Sequence, residues 1–89
     1  MYDFKWIDWN RDKIAGHNVS IHEVEYVVNH PFPGYPRQIR GKRQAWGRTR
    51  DGAYLQVVYV IEPDDRVFVI HARPLTENEK RRSRRRKRR

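Results

Sequence analysis

The sequence predicts an α+β fold: a short N-terminal strand, two short helices packed on an antiparallel β-meander, and a C-terminal helix. Two capping boxes mark helix starts, Ser20-Ile21-His22-Glu23 and Thr76-Glu77-Asn78-Glu79, in which serine or threonine and glutamate satisfy each other's orphan amide groups. Gln44 to Thr49, Tyr54 to Glu62 and Arg66 to Ala72 read as three successive strands, joined by Arg50-Asp51-Gly52 and Pro63-Asp64-Asp65, connections short enough to force an antiparallel meander. At 89 residues there is room for one domain only.

Taken in order, Tyr2 to Trp6 alternates aromatic and polar residues, placing Tyr2, Phe4 and Trp6 on the core side of a short strand. Asp8 reads as the cap of a first helix over Trp9 to Ala15, closed by Gly16 and Asn18, which tolerate the left-handed conformation. Ile21, Val24, Val27 and Val28 form the apolar stripe of the second helix, and His30-Pro31 stops it. Pro31 to Pro36 reads as loop. Strand parity then gives an apolar sheet face of Leu55, Val57, Tyr59, Ile61, Phe68, Ile70 and Ala72, to be covered by the two helices. The opposite face carries Lys42, Gln44, Trp46, Arg48 and Arg50 from one strand, Tyr54 and Gln56 from the next, and His71 and Arg73 from the last. Cations and aromatic rings interleave there, provided that no bulge shifts the register.

The net charge of +9 is concentrated at one end. Lys80 to Arg89 contains nine basic residues and no acid, which leaves eleven basic and eleven acidic residues in the preceding 79. The expected organisation is therefore a neutral domain over residues 1–79 and a poly-basic tail over 80–89, continuing a helix or disordered. Such a tail attracts phosphate backbones without sequence preference, or serves only as a solvated end. The absence of cysteine removes disulfides and thiolate metal sites, and neither a signal-peptide pattern nor a membrane-length apolar run is present. These features predict a soluble, cytoplasmic protein without membrane contact. His17, His22, His30 and His71 show no ligand spacing, so neither metal nor cofactor is expected.

Scattered along this frame are segments that resemble the BrnT family of the RelE/ParE toxin superfamily. They are Phe4-x-Trp6-x-Asp8 with Asn10 and Lys13, His17-Asn18-Val19-Ser20, Gly47-Arg48, Leu55 through Val60, and Val69 through Thr76 with Glu79-Lys80-Arg81. The match departs at Asn18, at His71 and in the poly-basic ending. The resemblance implies the toxin of a type II toxin-antitoxin pair, an endoribonuclease that cuts messenger RNA, free or ribosome-bound, and inhibits translation. It further implies a BrnA-type antitoxin partner, with DNA contacted only through the antitoxin complex.

RNA is cut without a metal when the 2'-hydroxyl loses its proton, the phosphorane charge is neutralised and the leaving oxygen gains a proton. Arg48 and Arg73 are the candidates for the phosphate, because guanidinium presents a fixed fork to its oxygens. His17 and His71 are the candidate proton carriers, although His17 is better explained as a helix-terminal cation. Lys13, Trp46, Arg50, Tyr54 and Gln56 complete the expected RNA-binding set, with Trp46 and Tyr54 as stacking platforms for unpaired bases. The same residues also suit a non-catalytic RNA-binding protein or an inactive toxin homologue.

Overall fold

The computed structural model describes residues 1–87, with side chains to residue 84. In chain order the elements are α1 (Asp8–Ala15), α2 (Ile21–Asn29), β1 (Arg37–Ile39), β2 (Lys42–Arg48), β3 (Tyr54–Ile61), β4 (Val67–Pro74) and α3 (Glu77–Lys87). The strands form one antiparallel sheet in the order β1-β2-β3-β4. The expected α+β class and meander are present. The N-terminal segment is not a full strand but a single parallel bridge, Phe4 to Val67, held by hydrogen bonds from Lys5 N to Val67 O and from Val67 N to Asp3 O.

Local chemistry accounts for most element ends. At α2 the capping box is reciprocal: Ser20 N donates to Glu23 Oε1, and Glu23 N donates to Ser20 Oγ. The cap of α1 differs from the expectation at Asp8. Ile7 takes the N-cap position, and Asn10 reaches back, its Oδ1 accepting from Ile7 N at 2.8 Å while its Nδ2 donates to Lys5 O at 3.0 Å. Asn10 is fully buried, and those two bonds satisfy its amide. After α1 the left-handed position is Asn18, at φ 57°, while Gly16 remains right-handed.

One strand follows directly on the Pro31–Pro36 loop, in a stretch for which the sequence predicts no element. Arg37–Ile39 pairs with Lys42–Gln44 across Arg40 and Gly41, both at positive φ, as a two-residue hairpin turn requires. A second difference concerns the core. Val58 pairs with His71 but Tyr59 pairs with Val69, so Ile70 is an extra residue in β4 and the side-chain parity reverses beyond it. Val67 and Val69, rather than the expected Phe68 and Ile70, join Leu55, Val57, Tyr59 and Ala72 in the core against Val24, Val27 and Val28 of α2. Phe68 instead stacks on Trp9 of α1, with ring centroids 5.9 Å apart.

Gly47 sets how closely α2 approaches the sheet. A Cβ there would lie 2.9 Å from Val27 Cγ1 and 3.3 Å from the His30 carbonyl oxygen. Only a glycine lets the end of α2 rest directly on β2. At the other end of the chain, α3 runs unbroken through the boundary expected between residues 79 and 80, and Ser83 within it is buried. Arg88 and Arg89 of the tail lie outside the described residues. Among the described residues, no helix is long and apolar enough to cross a membrane.

Candidate nucleic-acid interface

The sheet face opposite the helix-covered core holds the predicted residues in three cross-strand rows. Gln44, Val58 and His71 form one row, Trp46, Gln56 and Arg73 the next, and Arg48 and Tyr54 the third. The bulge lies beyond these rows, so the predicted face survives it.

The central row is more enclosed than expected. Trp46 is 6% exposed and Gln56 7%. Gln56 Oε1 accepts from Gln44 Nε2 at 2.7 Å, Trp46 Nε1 at 3.1 Å and Arg73 Nη2 at 3.3 Å. Arg73 also grips Glu79 of α3 with both nitrogens, Nη1 to Oε1 at 2.8 Å and Nη2 to Oε2 at 2.9 Å, and donates to the Pro74 carbonyl at 2.9 Å. The hydrogen bonds from Arg73 hold the Glu79 carboxyl down at about 2, against an ordinary 4.5, and the Thr76 amide adds to this. Burial opposes the effect. The fork predicted to meet phosphate thus holds a carboxylate of the chain itself.

Around this row stands a tier of aromatic rings carrying cations. Tyr35 stacks on Trp46 with centroids 5.2 Å apart, and Phe32 meets Tyr54 at 5.9 Å. Arg37 lies 4.7 Å from the centre of the Tyr35 ring and Arg82 lies 5.3 Å from the Trp46 ring. Arg48, Lys80 and Arg84 surround Tyr54 at 5.6, 5.9 and 5.8 Å. Between Tyr35, Arg37, Trp46, Arg73 and Arg82 opens a groove of about 400 Å³. The basic start of the tail therefore packs on the sheet instead of projecting from it.

The remaining predicted residues fall in two other places. His17 and His71 meet edge to face, with centroids 4.9 Å apart, where the end of α1 crosses β4. Burial is the main influence lowering the His71 pKa, followed by the charges of His17, Arg73 and Lys13, so its neutral form is favoured. Lys13 sits over the Trp9 ring at 5.3 Å, away from the aromatic tier. Arg48 and Arg50 line a second groove, of about 710 Å³, with Tyr26, His30 and Phe32. The four residues predicted to act in catalysis are thus distributed: Arg73 in one groove, Arg48 in another, and His17 with His71 at the seam of α1 and β4. Among the described residues, no cluster of three or more histidine, aspartate or glutamate side chains could hold a metal ion.

Glu79, Tyr35, Arg37, Arg82 and His30 belong to these sites without having been singled out as site residues in the sequence. The Arg40-Gly41 dipeptide is the signal that places β1, and with it Arg37, beside the aromatic tier. The other four are brought in by tertiary packing, which leaves no local pattern. No family model, curated protein or solved structure matches the chain.

Proposed function

We propose that the protein is a RelE/ParE-like toxin of a type II toxin-antitoxin pair, a metal-independent endoribonuclease that cuts messenger RNA in the cytoplasm and inhibits translation. The observation that carries this reading is the sheet face where Trp46, Gln56 and Arg73 lie beside Arg48 and Tyr54, ringed by Arg37, Arg82 and Arg84. The BrnT-like motifs support it independently. Single-stranded RNA offers what the exposed rim of this face recognises: phosphates for Arg37, Arg48, Arg82 and Arg84, and flat bases for the half-buried rings of Tyr35 and Tyr54, while Trp46 lies buried beneath Tyr35. In the reaction a histidine takes the proton of the 2'-hydroxyl, the 2'-oxygen bonds to phosphorus, and the 5'-oxygen leaves with the bonding pair and gains a proton. Arginine neutralises the charge that accumulates between. A BrnA-type antitoxin would silence the enzyme by covering the cationic face, and would supply any contact to DNA.

A second reading, a non-catalytic RNA binder, is favoured by the pairing of Arg73 with Glu79, which leaves that arginine no fork for a scissile phosphate. One experiment separates them. Purified protein is incubated with single-stranded RNA in a chelator, alongside an Arg48→Ala/Arg73→Ala double variant, and growth is followed on expression. Cleavage by the wild type, lost in the double variant while RNA remains bound, is the expected result. RNA left intact by the wild type, with normal growth, rules out the enzyme.

A further inference from the structure

We infer that the groove between the end of α2 and the end of β2 holds the scissile phosphate of single-stranded RNA, with His30 accepting the 2'-hydroxyl proton and Arg48 and Arg50 neutralising the phosphate. The inference rests on the RNA-cutting reading above and moves the reaction to a histidine that ends a helix.

The argument begins with the orientation of His30. Its Nδ1 lies 3.0 Å from the Tyr26 carbonyl oxygen, the same oxygen that accepts the His30 backbone amide at 2.9 Å. A carbonyl has no proton to give, so in the neutral ring Nδ1 carries the hydrogen and Nε2 carries the lone pair. His30 is exposed, so that lone pair is within reach of a substrate. A fixed tautomer with an open Nε2 is what a general base requires. Among the described residues, neither seam histidine has a hydrogen bond that fixes its ring in this way. They meet each other through ring contact alone.

Next come the cations. His30 stacks on Tyr26 at 4.3 Å, and the Arg50 guanidinium lies 5.3 Å from the centre of the same ring, so Tyr26 is a shared platform joining base and cation. Arg48 lines the same groove and rests against Tyr54. Gly47 makes the arrangement possible, since its missing side chain lets the His30 carbonyl come down beside β2, one residue before Arg48. Among the described residues no carboxylate lines this groove, whereas Glu79 occupies the fork in the other. A phosphodiester entering here displaces no ion pair. The proton passes from the 2'-hydroxyl to His30 Nε2, the 2'-oxygen to phosphorus bond forms, the phosphorus to 5'-oxygen bond breaks, and the departing oxygen takes a proton from water.

The test compares wild type, His30→Asn and His71→Asn on a short single-stranded RNA in chelator, measuring both cleavage rate and affinity. Asparagine can still donate to the Tyr26 carbonyl but offers no basic nitrogen. His30→Asn is expected to slow cleavage by about 100-fold or more while His71→Asn stays near the wild-type rate, and affinity for RNA should change by less than about threefold in both. Wild-type cleavage that survives in His30→Asn and disappears in His71→Asn overturns this assignment and leaves the ribonuclease reading intact. RNA uncut by the wild type overturns both. If His30→Asn does not fold, the unaltered protein is titrated with a 2'-fluoro oligonucleotide and its imidazole resonances are followed. A shift at His30 supports the site; a shift at His71 with His30 unmoved overturns it.

Discussion

Two grooves are lined by arginine, and although Arg37 and Arg82 in the first rest on rings, Arg73 between them is partnered differently from Arg48 and Arg50 in the second. In the α3 groove Arg73 is held by a carboxylate, a carbonyl and an amide oxygen. In the α2 groove Arg48 and Arg50 rest on the rings of Tyr54 and Tyr26. Charge-assisted hydrogen bonds contribute roughly 1.5 to 3 kcal/mol each, whereas an exposed cation over a ring is worth about 0.5 to 1 kcal/mol. A phosphate approaching Arg73 must displace a competitor with its own geometry and charge. One approaching Arg48 or Arg50 adds to a contact that can persist. The difference separates an arginine that ties α3 to β4 from arginines open to a ligand.

Substituting the two kinds of arginine is the most direct way to break that comparison. Arg73→Ala removes the partner of Glu79 and one of three donors to Gln56, on side chains only 28% and 15% exposed for Arg73 and Glu79. The expected destabilisation is about 2 to 3 kcal/mol, a fall in melting temperature of roughly 10 to 20 °C for a chain of this size. Arg48→Ala, on an exposed side chain, should cost less than about 0.5 kcal/mol. Urea unfolding of both variants checks this, and a larger loss for Arg48→Ala would reverse the assignment of roles.

Gly47→Ala sharpens the comparison from the side of the backbone. The added methyl meets Val27 at 2.9 Å and the His30 carbonyl at 3.3 Å, and backbone cannot swing aside like a side chain tip. A cost of about 1 to 3 kcal/mol is expected. The end of α2 should lift from β2, so RNA affinity should fall in Gly47→Ala by more than in a core variant of equal stability, such as Val69→Ala. Equal affinities at equal stability would separate the α2 groove from RNA binding.

The sequence makes the skeleton of these grooves readable and hides their partnerships. Both capping boxes and the three longer strands are written in residues close in the chain, and so is the pairing of Trp46, Gln56 and Arg73 on one face. Hairpin connections fix register locally. The bulge at Ile70 is different, because an extra residue in one strand has no compositional mark, and it exchanges Phe68 and Ile70 for Val67 and Val69 in the core. Asn10 reads as an ordinary helix polar residue until the chain before it turns back to supply Lys5 O and Ile7 N. Glu79 reads correctly as a capping residue and yet also closes on Arg73, since Pro74 and Leu75 fold α3 back toward the sheet. His30 reads as the end of a helix. Its chemistry emerges only when Gly47 brings that end against Arg48.

Acid provides the gentlest test of the comparison, because among the described residues a carboxylate, Glu79, lines the α3 groove and none lines the α2 groove. Glu79 titrates at about 2 in the folded chain against 4.5 ordinarily, so the unfolded state binds its proton first as pH falls. Its contribution is therefore fully present above pH 4.5 and is lost as pH drops toward about 2. His71 acts in a higher window. Its folded pKa lies below 6.5, so stability is full above 6.5 and declines as pH falls below it, where the unfolded chain takes up the proton more readily. Asp64, lowered by its hydrogen bonds from Arg66 at the far hairpin, adds to the acidic window, so Glu79→Gln should shrink that loss without removing it. Urea midpoints measured across the pH range should therefore show two separable declines. His71→Asn should flatten the upper one and Glu79→Gln the lower, while Arg50→Ala should leave both slopes as they are. A slope altered by Arg50→Ala would mean that the α2 groove holds a titrating partner for its arginines, and the contrast between the two grooves would fail.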